Sequence, residues 1–165
     1  MSQLPIGHVS PATQALFYGQ REEAAGRLDQ SVKHYRDALS VEPKYARARL
    51  ALAWALTRLS KIREAAQEYE ILLESDPNNV TALHGFSWVQ CGLEDFSGAL
   101  ATIDRLEALG GDTAHELTKV AFAFMHLCDW SRCDTTLARI RARFALTGCG
   151  NSASQIGCDT IQWFG

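Results

Sequence analysis

The sequence predicts an all-α fold of about four stacked helix–turn–helix hairpins. Three observations carry this reading. Tyr35, Ala38 and Pro43 recur 34 residues later as Tyr69, Leu72 and Pro77, and Leu52-Ala53 and Ala65 recur as Phe86-Ser87 and Ala99. A fixed period in the 20–50 range marks a repeat array in which each unit buries its neighbour's apolar face. Proline is scarce, at four residues, and three of these (Pro11, Pro43, Pro77) fall on the unit boundaries. The segments between them are rich in Ala, Leu, Arg and Glu, which favour helix. Side-chain bulk also alternates in phase: Gly19, Ala53, Ser87 and Ala121 form one small row, and Ser31, Ala65, Ala99 and Cys133 another. Small residues at fixed places let helices approach to the short end of the usual separation.

The units are expected at 12–45, 46–79, 80–113 and 114–147, after a lead-in of 1–11 and before a tail or partial cap of 148–165. In the first, Ala12 to Ala25 is a helix, Gly26 turns, and Leu28 to Val41 returns before Glu42-Pro43. In the second, Ala46 to Leu59 carries Leu52, Leu56 and Leu59 at helical spacing. Ser60-Lys61 turns, and Ile62 to Ser75 ends at Asp76-Pro77-Asn78-Asn79, because proline cannot donate and pushes its predecessor out of helical geometry. The third runs Val80 to Gln90, turns near Gly92 and returns from Phe96 to Leu109, with Gly110-Gly111 as its stop. The fourth runs Ala114 to Leu127, turns at Cys128-Asp129, and returns from Trp130 to about Phe144. Two large rows, Tyr18/Leu52/Phe86/Val120 and Leu28/Ile62/Phe96/Trp130, are expected as the knobs that fill one continuous core.

Composition narrows the function classes. Hydrophobic residues are 47%, charged residues 21%, and net charge is −3, so no strong field favours nucleic acid or a membrane surface. No stretch approaches the roughly 20 apolar residues of a membrane span, and Met1 to Gln14 lacks the pattern of a secretory signal. The five cysteines (Cys91, Cys128, Cys133, Cys149, Cys158) therefore read as reduced thiols of a cytoplasmic protein. Cys128 and Cys133 are five apart, unlike paired zinc ligands, and the five histidines are scattered with no nucleophile and base at a recognisable spacing. Gly148-Cys149-Gly150 lacks the lysine of a phosphate loop. One basic helix (Arg132, Arg139, Arg141, Arg143) is a weak basis for nucleic-acid binding. The expectation is a non-enzymatic protein with no cofactor and no metal site.

The 34-residue period, the small residues Ala53 and Ala65, the aromatic Tyr69 and the closing Pro77 resemble the tetratricopeptide repeat family. The resemblance covers 12–147 and is strongest over 46–79. It implies a right-handed α-solenoid whose concave wall is lined by the first helix of each pair, acting as a protein–protein interaction scaffold. The partner-binding groove would then include Gln20; Arg47, Leu50, Trp54 and Arg58; His84 and Trp88; and His115, Phe122 and His126. Trp54, Trp88 and Phe122 share one repeat position, and such aromatic residues are enriched where binding energy concentrates. Arg47, Arg49 and Arg58 either offer a bidentate site for an acidic group or pair locally with Glu64 or Glu68. The family's chaperone-binding members clamp a C-terminal carboxylate with lysines and asparagines; this chain has Leu16, Gln20, Ala51, His115 and Lys119 there, so chaperone tails are not expected. The implied partner is a polypeptide segment, not a nucleic acid or membrane, with self-association through the C-terminal end of the array a further expectation.

A second resemblance lies at Leu127-Cys128-Asp129-Trp130-Ser131, which is similar to the stretch joining repeats to the catalytic region in bacterial glycosyltransferases of the O-linked N-acetylglucosamine transferase type. It implies the alternative that the chain is the non-catalytic repeat portion of such an enzyme, because the catalytic lobes need hundreds of further residues. The apolar end Ile161-Gln162-Trp163-Phe164 is expected as a fold-back lid or a loosely attached tail.

Overall fold

A computed structural model describes residues 10–146. The lid or tail at 148–165, with Cys149 and Cys158, lies outside the described residues, as does the lead-in before Ser10. The described residues hold eight helices and no strand: α1 (Pro11–Ala24), α2 (Leu28–Val41), α3 (Ala46–Arg58), α4 (Ile62–Ser75), α5 (Val80–Gly92), α6 (Phe96–Ala108), α7 (Ala114–His126) and α8 (Trp130–Leu146). The fold is an all-α helical repeat. The even-numbered helices begin at Leu28, Ile62, Phe96 and Trp130, and α3, α5 and α7 at Ala46, Val80 and Ala114, so the 34-residue register holds without slippage.

Two compact units are present, the first ending at Asp95 and the second beginning at Phe96. In the first, α1 packs on α2 and α3 on α4, while α2 packs on α3 and α4 on α5. The core holds Val32, Tyr35, Leu52, Leu56, Tyr69, Leu72, Leu83 and Val89. Two glycines are required by close approach. A Cβ at Gly19 would collide with the ring of Tyr35, and one at Gly85 with the ring and hydroxyl of Tyr69. In the second unit, α6 packs on α7 and α7 on α8, around Ile103, Leu106, Leu117, Val120, Phe124 and Cys133. The Phe96 and Phe124 rings meet edge-on at 5.6 Å, and the Arg132 guanidinium lies 4.7 Å above Phe124.

All eight residues of the two small rows are buried. The large rows are less uniform. Leu52 and Val120 are buried as expected, and Phe86, Leu28, Ile62 and Phe96 are half-buried, but Tyr18 and Trp130 are exposed. The expectation that every member is a core knob therefore fails at both ends. Among the described residues no helix precedes α1 and none follows α8, so the outermost rings have no neighbour to fill. Inside the first unit the corresponding contact exists: Ile62 lies against Gly92 of α5.

Each first helix ends in the same way. Gly26, Ser60, Glu94 and Cys128 all have positive φ, at 77°, 59°, 62° and 56°. The amide after each reaches back five residues, as Arg27 N to Glu22 O, Lys61 N to Leu56 O, Asp95 N to Gln90 O and Asp129 N to Phe124 O. This Schellman closure satisfies carbonyls left over at the helix end. The expected turn near Gly92 is thus displaced: Gly92 is still helical, and Glu94 takes the left-handed residue. The register of the repeat, not the position of the glycine, decides where the chain reverses.

The second helices stop by two routes. Before Pro43 and Pro77, Glu42 and Asp76 are extended at φ −134° and −137°. After α6, Gly110 is left-handed at φ 76° and Gly111 N donates to Leu106 O. Glycine therefore replaces proline through a defined cap. α5 starts on a side-chain cap, Asn79 Oδ1 accepting from Ala82 N at 3.0 Å, and just before α7 Asp112 Oδ1 accepts from Ala114 N at 3.1 Å.

Candidate functional site

The face of α3 turned away from the core carries Arg47, Leu50 and Trp54, spaced three and four residues apart and hence on one stripe. The opposite stripe, Ala48, Leu52, Ala55 and Leu56, is buried. On α5, His84 and Trp88 are four apart, above buried Leu83, Ser87 and Val89. α3 packs against both α1 and α5, so these stripes are neighbours within the first unit. Trp54 is 51% exposed and Trp88 46%, whereas the residues before them, Ala53 and Ser87, are fully covered. Gln20 on α1, Arg47 and Arg58 are exposed; Leu50 and His84 are half-buried. Leu16, which stands at one of the family's clamp places, is buried in the core.

The three arginines of the basic patch divide. Arg49 is half-buried, with Nη1 on Glu68 Oε2 at 2.5 Å and Nη2 on the Pro43 carbonyl at 2.6 Å, so it clamps α3 to α4 and to the preceding turn. Arg58 Nη1 donates to Glu23 Oε1 at 2.9 Å, and the Tyr35 hydroxyl donates to Glu23 Oε2 at 2.7 Å. One carboxylate thereby joins α1, α2 and α3. Burial, then the Glu23 carboxylate, pushes the Tyr35 phenol far above its ordinary range. Glu64 is engaged by Arg36 of α2 at 2.7 Å. Only Arg47 of the three is exposed with no ion pair among the described residues. The carboxylate hub at Glu23 was not foreseen. Its only sequence signal is a charge at the inward end of α1, 35 residues before a complementary one.

The register position of Tyr35 is filled in the next unit by Tyr69. Its ring is fully buried on Gly85, and burial pushes its phenol up to about 12. Thr57 stands alongside, but the Thr57 hydroxyl donates to the Ala53 carbonyl at 2.8 Å, and the Tyr69 hydroxyl makes no hydrogen bond of ordinary geometry.

In the second unit, His115, Phe122 and His126 are exposed on α7, Phe122 at 60%. The Phe122 and His126 rings meet edge-on at 4.3 Å. Arg139 of α8 reaches Asp104 at 2.6 Å and Glu107 at 3.1 Å on α6, which ties the basic helix to acidic neighbours. Burial raises the Cys133 thiol, with Asp134 and Asp129 adding to the effect, and a thiol so held stays protonated and unreactive. A cleft of 600 Å³ opens elsewhere in the first unit, at the turns Ser60–Glu64 and Gly92–Glu94 and away from the aromatic stripes. No helix among the described residues is long and apolar enough to cross a membrane.

These features define a class: helical hairpins in 34-residue register whose first helices pack by one stripe and present aromatic side chains on another. Residues 23–85 match the model of the tetratricopeptide repeat family, and the eight helices form a helical repeat of that kind. In structure it is similar to the TPR2B domain of yeast Sti1 in its pHsp70 complex, at TM-score 0.60 and 26% identity, covering 68% of this chain and 94% of that one. It is also similar to the first TPR of Spaghetti bound to an HSP90 peptide (TM-score 0.63, 19% identity, 70% and 96% covered). MamA from Desulfovibrio magneticus RS-1 gives TM-score 0.70 at 15% identity, with 80% and 75% covered. A curated relative is cellulose synthase operon protein C of Pseudomonas fluorescens, 32% identical over 114 residues. That match covers 61% of this chain, which spans only 9% of the relative's length.

Proposed function

We propose that this chain is a protein-interaction module that holds a segment of a partner polypeptide against the first-helix stripes of α1, α3 and α5. The observation that carries the reading is the exposure of Trp54 and Trp88 at one repeat position, beside a fully buried small row. About half of each indole is open to water, and flat aromatic side chains give large contact area at low entropy cost in an interface. The 26%-identical TPR domains of Sti1, solved as pHsp70 and pHSP90 complexes, support a polypeptide as the kind of partner. Leu16 in the core and the uncharged Gln20 and Ala51 leave the first unit without the cationic clamp of the chaperone-binding members, so the partner is read as a different segment.

The reading makes no use of a catalytic residue, and the role proposed is scaffolding. The match to cellulose synthase operon protein C, of which this chain spans 9%, favours a second reading: the same module as one section of a longer repeat protein. The two readings share the surface and differ in its context, which the mass of the native product on an immunoblot distinguishes.

The test is the double variant Trp54→Ala/Trp88→Ala. We expect partner capture to be lost while the far-ultraviolet dichroism and melting temperature stay close to those of the parent, within the few tenths of a kcal/mol usual for surface substitutions. A variant that loses helix content as well would place both rings in the core and end the proposal.

A further inference from the structure

The aromatic stripes have a charge character that the net charge of the chain hides. Neither α3 (ARARLALAWALTR) nor α5 (VTALHGFSWVQCG) contains a single Asp or Glu. The chain as a whole carries 19 acidic residues against 16 basic ones, so two consecutive first helices without an acid stand out from their surroundings. The acids sit instead on the helices beside them, and those that meet the arginines are already engaged. Glu22 is held by Arg27, Glu23 by Arg58 and Tyr35, Glu64 by Arg36, and Glu68 by Arg49. Arg47 alone of the α3 arginines is exposed with no ion pair among the described residues, on the same stripe as Leu50 and Trp54.

Resting on the interaction reading above, we infer that the segment held by α3 and α5 is acidic: it sets an apolar side chain against Trp54 and Trp88 and an aspartate or glutamate carboxylate against Arg47. A basic segment finds no counter-charge on either helix and faces Arg47 directly. A carboxylate paired with Arg47 gains a charge-assisted, bidentate hydrogen bond next to an indole surface that excludes water from one side. Arg58 adds neither contact nor net charge, because Glu23 already holds it. Arg47 is thus the specificity-determining residue and the two tryptophans supply contact area.

Selection from a random peptide library displayed on phage, with the intact chain immobilised, tests this directly. Peptides that depend on Trp54 and Trp88 should be enriched in Asp or Glu near a large apolar residue. Synthetic copies should lose about tenfold in affinity on Arg47→Ala, the scale of one charge-assisted hydrogen bond, and should weaken with added salt. Repeating the selection on Arg47→Glu should turn the enrichment toward Lys and Arg. Tryptophan-dependent peptides that are neutral or basic overturn this inference and leave the interaction reading standing. Enriched peptides indifferent to Trp54→Ala/Trp88→Ala, or no enrichment at all, overturn both. The melting temperature of Arg47→Glu, an exposed and unpaired position, confirms that the variant is folded.

Discussion

Two rows of the first helices differ by a single residue and by everything else. Ala53, Ser87 and Ala121 are covered to within 2% of full burial, and Trp54, Trp88 and Phe122, next in sequence, are 46–60% exposed. Both rows recur at the same 34-residue period. Periodicity alone therefore does not say what a residue is for. A row of small residues is explained by helix packing, which needs them. A row of large aromatic residues with about half of each side chain in water is not explained by packing alone. The contrast locates the boundary between what holds the repeat together and what is available to a partner.

The sharpest way to break the contrast is to put bulk and charge into a small row. Ala65 is fully buried in α4, and Ala65→Glu forces a carboxylate into a helix–helix contact with nothing to receive it. We expect a loss of at least 4 kcal/mol, in the range reserved for unpaired buried charges, and collapse of the cooperative melt. A melt that hardly moves would mean that the α4 small row is not a packing row.

Of intermediate size is the pair Gly19→Ala and Gly85→Ala. Each methyl meets a tyrosine ring, Tyr35 or Tyr69. Alanine favours helix over glycine by about 1 kcal/mol, which offsets part of an overpacking penalty of about 1–3 kcal/mol. The two rings are not equally free to move. Tyr35 is anchored through its hydroxyl to Glu23, which Arg58 also holds, and Tyr69 has no such anchor. Gly19→Ala should therefore lower the denaturation midpoint more than Gly85→Ala. Equal effects, or the reverse order, would show that the Glu23 hub does not fix Tyr35. Tyr69→Phe, which removes a hydroxyl left without a hydrogen bond, should be neutral or slightly stabilising in the same assay.

Much of this was legible before any coordinates. The two small rows, the helix starts at Leu28, Ile62, Phe96 and Trp130, and the stops at Pro43 and Pro77 follow from local chemistry repeated at one spacing. What escaped is what depends on neighbours. Tyr18 and Trp130 look like core in sequence because their counterparts are covered, and they are exposed because nothing described lies beyond them. Leu16 has the spacing of the wall and the burial of the core. The division of the arginines could not be read, since Arg49, Arg58 and Arg47 sit within twelve residues and only their partners on α4 and α1 tell them apart. The fold is written in periods, and the candidate site in the exceptions to them.

The smallest predicted effect concerns the most misleading residue. Gly92 drew the turn two residues too early, because glycine is the usual sign of a left-handed position. The structure puts that position at Glu94, in register with Gly26, Ser60 and Cys128. A residue with a Cβ held at φ 62° carries a cost of about 1 kcal/mol that glycine does not. Glycine also has more freedom to lose from the unfolded chain, which takes back part of the gain. Glu94→Gly should then raise stability by about 0.5 kcal/mol, with helix content unchanged. Gly26→Ala, the same exchange run backwards at φ 77° with open space around it, should lower stability by a similar amount. Opposite signs at two equivalent positions would tie the effect to backbone conformation, since neither side chain has a packing role. If both exchanges destabilise, Glu94 is contributing through its carboxylate and the turns are equivalent in shape but not in energetics.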